Sequence, residues 1–149
     1  MSKRPRMFTP LFLQENQETQ SLFTILNEGE EEFQVASEWL ESKMPIAPQG
    51  RISWEIISDK VCSTWSSPSS LVTTLNSIVI EEKLCGDVFV LWTNTLKKPV
   101  KASLTVVLSH LEKIVNEDWD TWICSITNDW CVEVFHDGEI CFGRVKGIT

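Results

Sequence analysis

The residues best suited by type to do chemistry are His136, Asp137 and Glu139, an imidazole followed closely by two carboxylates around Gly138. An imidazole oriented by an acid is a general base, and with carboxylates it is half of a metal site. Asp137-Gly138 is also the strongest short hairpin signal in the chain, which makes these residues a turn and His136 a polar strand end. The second histidine, His110, sits in an amphipathic helical pattern and reads as a partly exposed helix residue. Five cysteines (Cys62, Cys85, Cys124, Cys131 and Cys141) show no C-x-x-C spacing and are expected as reduced, mostly buried thiols. The same spacing argues against zinc. No G-x-S-x-G, P-loop, dinucleotide fingerprint or H-E-x-x-H occurs. The expectation is therefore a protein that is not an enzyme and uses no cofactor or metal; a small enzyme built on His136 is the alternative.

What remains is recognition. The chain carries 21 acidic and 13 basic residues, a net charge of −8. Lys3, Arg4 and Arg6 read as an unpaired tail, which leaves the body with 10 positive against 21 negative side chains. Such a surface repels phosphate backbones and draws in a basic partner. The acids are grouped: Glu28, Glu30, Glu31 and Glu32, then Glu81-Glu82, then Glu117, Asp118 and Asp120. Each group alone suits a solvated face or a helix start, and together they suit a partner-facing surface. Asp118-Trp119-Asp120 sets carboxylates beside a tryptophan, a composition fit for an interface hot spot against Lys or Arg. The alternative is a loop with Trp119 tucked into the core. Asp129 and Glu133 complete the partner-contact candidates.

The elements that must position these residues follow from periodicity. Residues 1–20 are expected to be a flexible segment with Phe8, Leu11, Phe12 and Leu13 as a possible anchor, and residues 21–149 a single α/β (α+β) domain. A short strand spans 21–26. Asn27 with Glu30 in capping-box position opens a helix striped by Phe33, Ala36, Trp39 and Leu40. Ile52, Trp54 and Ile56 alternate like a strand, and residues 63–70 read as a serine-rich loop. Ser67-Pro68 starts a helix carrying Leu71, Leu75 and Ile78, which Gly86 closes. Residues 87–93 form a strand covered on both faces. One helix follows, with Leu104, Val107, Leu111 and Ile114 on its stripe, and then three strands. The sum is a mixed sheet with a C-terminal antiparallel meander packed against two to three helices. The apolar stretch at 7–13 is too short for a signal peptide and nothing is long enough to span a bilayer, so a cytoplasmic location without membrane contact is expected.

A two-residue turn at Asp137-Gly138 would set Val134 opposite Cys141 and Val132 opposite Gly143. A tight turn at Asn128-Asp129 would set Trp122 opposite Phe135. One face then gathers Trp122, Phe135, Ile140 and Phe142 around a diagonal Glu133–Arg144 pair, and Cys131 and Cys141 fall on opposite faces. That face is either a helix-covered core with a buried ion pair or a binding surface.

The strand D-T-W-I at 120–123 and the run W-C-V-E-V-F-H-D-G-E-I-C-F-G at 130–143, with Leu91-Trp92-Thr93-Asn94 and Lys98-Pro99 before them, resemble a known pattern. It is that of small acidic bacterial immunity partners of secreted toxins, of the contact-dependent growth inhibition or polymorphic toxin type, over residues 86–145. The resemblance implies a cytoplasmic inhibitor that binds a cognate toxin domain, commonly a nuclease, and blocks its active site or substrate face. Secretion chaperones of bacterial injection systems are similar in size, charge and α/β class, and would bind a partner segment as a homodimer. They usually finish on a helix, whereas this chain finishes on strands followed by Gly147, Ile148 and Thr149.

Overall fold

The computed structural model describes residues 6–145. Lys3 and Arg4 of the expected tail, and the last residues 147–149, lie outside them. Seven strands form one sheet, in the order β1-β4-β3-β5-β6-β7-β2. They are β1 (Thr24–Ile25), β2 (Lys60–Thr64), β3 (Asp87–Trp92), β4 (Val100–Ser103), β5 (Thr121–Ser125), β6 (Trp130–Phe135) and β7 (Glu139–Arg144). Among the described residues six α-helices accompany it: α1 (Leu11–Gln14), α2 (Gln17–Ser21), α3 (Glu31–Lys43), α4 (Pro68–Glu82), α5 (Leu104–Ser109) and α6 (Leu111–Asn116). Strand alternation divides the sheet's side chains between two covered faces. Val88, Val90, Val100, Ile123, Val132, Ile140 and Phe142 pack with α4, α5, α6 and the Phe12-Leu13 pair of α1. On the other face Trp122, Cys124, Cys131 and Cys141 meet Trp39 of α3 and the segment carrying Met44, Ile52, Trp54 and Ile57. The single α+β domain expected from the pattern is thus present. Every pairing between these strands is antiparallel, so the expected mixed sheet becomes an antiparallel one.

Local chemistry explains most boundaries. Ser67 accepts from the Ser70 N–H at 3.2 Å while the Ser70 hydroxyl accepts from the Ser67 N–H at 3.0 Å, a reciprocal cap with Pro68 in the first turn. Ser103 caps α5 through the Val106 N–H. The cap expected at Asn27 forms only in half. The Glu30 carboxylate does reach back to the Asn27 N–H, but the Asn27 side chain takes Lys98 Nζ at 2.8 Å and the helix begins later, at Glu31.

Four expectations change. Residues 54–56 form a 3-10 turn rather than a strand: the Ile57 N–H closes on the Trp54 carbonyl, while Ile52 makes only an isolated antiparallel bridge to Ile46 and gives its N–H to the Glu133 carboxylate. The strand lies later, at β2, a wholly exposed edge whose polar residues give no period-two signal. The helix expected over 104–115 breaks at His110, whose backbone leaves the helical region (φ −119°, ψ 18°) and whose ring packs edge-on against Phe23. The β6–β7 hairpin turns through three residues, 136–138, with Phe135 opposite Glu139 and Gly138 at φ +100° in the left-handed position such loops need.

That single extra residue flips β7. Ile140 and Phe142 join Val132 and Val134 under the helices, while Cys141 moves to the face of Cys131 and Glu133. The β5–β6 loop is longer than expected by two residues, which shifts register but keeps faces, so Trp122 lies directly opposite Glu133. The thiol expectation also changes. β2 places Cys62 opposite Cys141 and the two are disulfide-bonded; Cys85 is exposed; Cys124 and Cys131 are the buried free thiols.

Candidate functional site

The most conspicuous surface feature is the corner between α6 and β5, residues 117–120. Trp119 is 67% exposed, so the alternative that it is tucked into the core does not hold. The corner itself is firmly tied. The Glu117 carboxylate accepts from the Phe12 N–H at 2.8 Å and pairs with Lys97, both side chains buried. Asp118 accepts from the Asn94 N–H and from the Trp119 N–H, each at 2.8 Å. The Asp120 N–H reaches Thr93 Oγ1 at 3.0 Å, and its carboxylate takes the His136 N–H at 3.0 Å and lies 2.9 Å from His136 Nδ1. The His136 ring meets Trp119 edge to face, centroids 4.7 Å apart. Glu117, Asp118, Trp119 and His136 line a hollow of about 480 Å³ together with Trp65, Val115 and Asn116.

His136 thus has an orienting carboxylate, but it is Asp120, sixteen residues upstream, rather than Asp137 or Glu139. Asp137 accepts the Glu139 N–H as a turn residue, and Glu139 pairs with Arg51 at 3.2 Å. No cluster of three or more His, Cys, Asp or Glu able to hold a metal occurs among the described residues.

Two other acidic regions stand apart from this corner. Glu28 borders a hollow shared with Asn94 and Lys97, on the loop that Asp118 ties down. Glu31 and Glu32 line a separate hollow with Asp87 and Thr127, and Glu32 pairs with Lys101 at 3.1 Å. Glu30 is exposed and turned back on Asn27. Asp129 is exposed in the β5–β6 loop at φ 54°, at the far end of β5 from Trp119. A five-residue strand puts roughly 15 Å between those two ends.

Glu133 is not on the surface. It is 1% exposed, and its two oxygens accept from Arg51 Nε (3.2 Å), the Ile52 N–H and the indole N–H groups of Trp54 and Trp122 (2.9 Å each). The expected Glu133–Arg144 pair does not form either; Arg144 bonds to Glu82 at 2.6 Å and lies 3.4 Å from Asp59. Burial pulls the Arg51 guanidinium down, but Glu139 and Glu133 more than offset it and hold it above its ordinary value. The sequence pattern does not single out Arg51 or Trp54, and it puts Trp122 on the correct face without giving it a role. A lone acid on an apolar strand face is the signal that donors must converge there.

The family model described as CdiI immunity protein, EcoliA0-like, matches residues 11–143. The chain belongs to this family. The match extends the resemblance from residues 86–145 to nearly the whole described fold, including α1 and the buried Phe12-Leu13 pair. No curated protein sequence matches the chain. An immunity protein binds a toxin protein, and in this family the setting is contact-dependent growth inhibition. No helix among the described residues is long and apolar enough to cross a membrane.

Proposed function

We propose that this immunity protein neutralises a nuclease toxin domain in the cytoplasm by covering its active or substrate-binding face, without catalysis of its own. The observation that carries the reading is unneutralised acidity: a net charge of −8, with Glu31, Asp118, Asp120 and Asp129 meeting no lysine or arginine among the described residues. A nuclease holds its phosphate backbone with basic groups, and an acidic partner competes for the same field. Attraction of this kind mainly accelerates encounter, so it is sensitive to salt. The acids nominated from the sequence remain contact candidates on this reading, except Glu133, whose oxygens are used inside the fold.

The test is a titration of the purified chain into the toxin domain's reaction on DNA and on RNA, at low and moderate salt. One-to-one inhibition, with association slowing as salt rises, is the expected result. A toxin that cuts neither nucleic acid, or inhibition that leaves substrate binding intact, refutes the nuclease-occlusion mechanism.

A further inference from the structure

The hollow beside Trp119 adjoins a second one. Asn116 and Glu117 line both, and the second, of about 290 Å³, is bordered by Leu11, Glu15 and Lys113. The result is a trough along the end of α6, with an exposed apolar side chain at each end: Leu11, 55% exposed, and Trp119. Lys97 is buried against Glu117, and Lys113 borders only the second hollow, with Glu15, so among the described residues no lysine or arginine lines the hollow beside Trp119 and Asp118. Along its walls Glu15 and Asp118 have no cationic partner among the described residues, and Asp118 spends its oxygens on backbone N–H groups.

We infer that this trough receives a basic segment of the toxin domain. An arginine guanidinium stacks on the exposed indole of Trp119 within reach of Asp118, and an apolar neighbour covers Leu11. The occupant follows from the walls. An aromatic face beside an uncompensated carboxylate binds a planar cation through both its quadrupole and its charge. The indole is already held by the His136 ring and by the Trp119 N–H to Asp118, so little side-chain freedom is lost on docking. This assignment rests on the toxin-binding reading above and names its contact surface.

The experiment measures affinity for the toxin domain whose growth arrest is reversed by co-expression of this chain. The variants are Trp119→Ala, Asn116→Arg and, on the opposite face of the sheet, Glu38→Lys. Trp119 and Asn116 are exposed, so thermal midpoints near wild type are expected and serve as the folding control. Loss of a hot-spot tryptophan should weaken binding at least 30-fold or so, and a cation in the trough by about 10-fold or more, with Glu38→Lys within about 3-fold of wild type. Wild-type binding that Trp119→Ala and Asn116→Arg leave within about 3-fold overturns the trough while the toxin-binding reading stands. Losses in Glu38→Lys, which shifts the net charge by +2 against +1 for Asn116→Arg, that equal or exceed those in Asn116→Arg assign the effect to overall charge and also overturn it. Failure of the wild-type chain to bind any such domain overturns the reading beneath it.

Discussion

Glu133→Gln tests the account of the interior most directly, because it keeps volume and removes only charge and one acceptor. Oε1 accepts from Arg51 and the Trp54 indole, and Oε2 from the Ile52 N–H and the Trp122 indole. A glutamine amide has one oxygen, so two of these four donors must face an NH2 group. The less costly orientation turns the amide nitrogen toward Arg51, which retains Glu139 and some solvent, and orphans the Trp54 indole. A buried orphan donor costs about 1–3 kcal/mol, and each remaining bond loses the strength a charged acceptor supplied. Together with the broken ion pair this amounts to about 3–5 kcal/mol, the usual range for removing one partner of a buried pair. Urea unfolding followed by tryptophan fluorescence reads it. With a slope of about 2 kcal/mol per molar, the midpoint falls by about 2 M at unchanged slope. A loss below about 1 kcal/mol would refute the claim that this carboxylate organises the face, since a net neutral hydrogen bond alone is worth that much.

Other perturbations separate the remaining parts of the argument. Gly143→Ala places a methyl 2.7 Å from Trp54 Cζ3 and 3.2 Å from Ile57 Cγ2, and should cost about 1–3 kcal/mol by overpacking, measured in the same urea assay. Thr121→Val removes a fully buried hydroxyl that has no partner among the described residues and should raise stability by about 1 kcal/mol; a fall would show that the hydroxyl is bonded. Burial, with Cys124 alongside, pushes the Cys131 thiol well above its ordinary value, so a thiol reagent should label Cys85 quickly and Cys131 only on unfolding. With the folded value raised, Cys131's contribution to stability is intact below the unfolded value near 9 and is lost as pH climbs past it, so alkaline unfolding should be eased by native Cys131 and relieved in Cys131→Ala. Asp118→Lys with Asp120→Lys should slow toxin association by about 10-fold at low salt, in stopped-flow mixing, and less as salt rises.

Local signals were legible and non-local ones were not. The stripe of Leu71, Leu75 and Ile78, the Ser67-Pro68 start and the apolar run at 87–92 each carry their own period or cap, and each forms as the pattern dictates. β2 was invisible because an edge strand buries neither face and so has no hydrophobic rhythm. The β7 faces were misassigned because Asp-Gly serves two-residue and three-residue turns alike, and one residue of slack inverts every side chain beyond it. Trp119 shows the limit from the other direction: its flanking carboxylates suggest an interface, but only the hydrogen bonds with Asn94, Thr93 and His136 determine that the corner is fixed with the indole outside.

Those bonds bear on how a chain of marginal stability presents a partner surface. Exposing a tryptophan forgoes the burial that would stabilise the fold, and loss of its freedom on docking would further weaken binding. Here the surrounding polar groups limit the second cost. Asp118 and Asp120 tie the corner to residues 93 and 94 and to the start of the β6–β7 turn, and the buried Lys97–Glu117 pair anchors it from beneath. Neither acid meets a lysine or arginine among the described residues, so the groups that hold the tryptophan in place also keep the site negative for a basic partner. If that coupling is correct, Asp118→Asn should separate the two roles. Its remaining amide oxygen still accepts one backbone N–H, so the corner stays folded, while salt sensitivity of toxin association declines because the charge is gone.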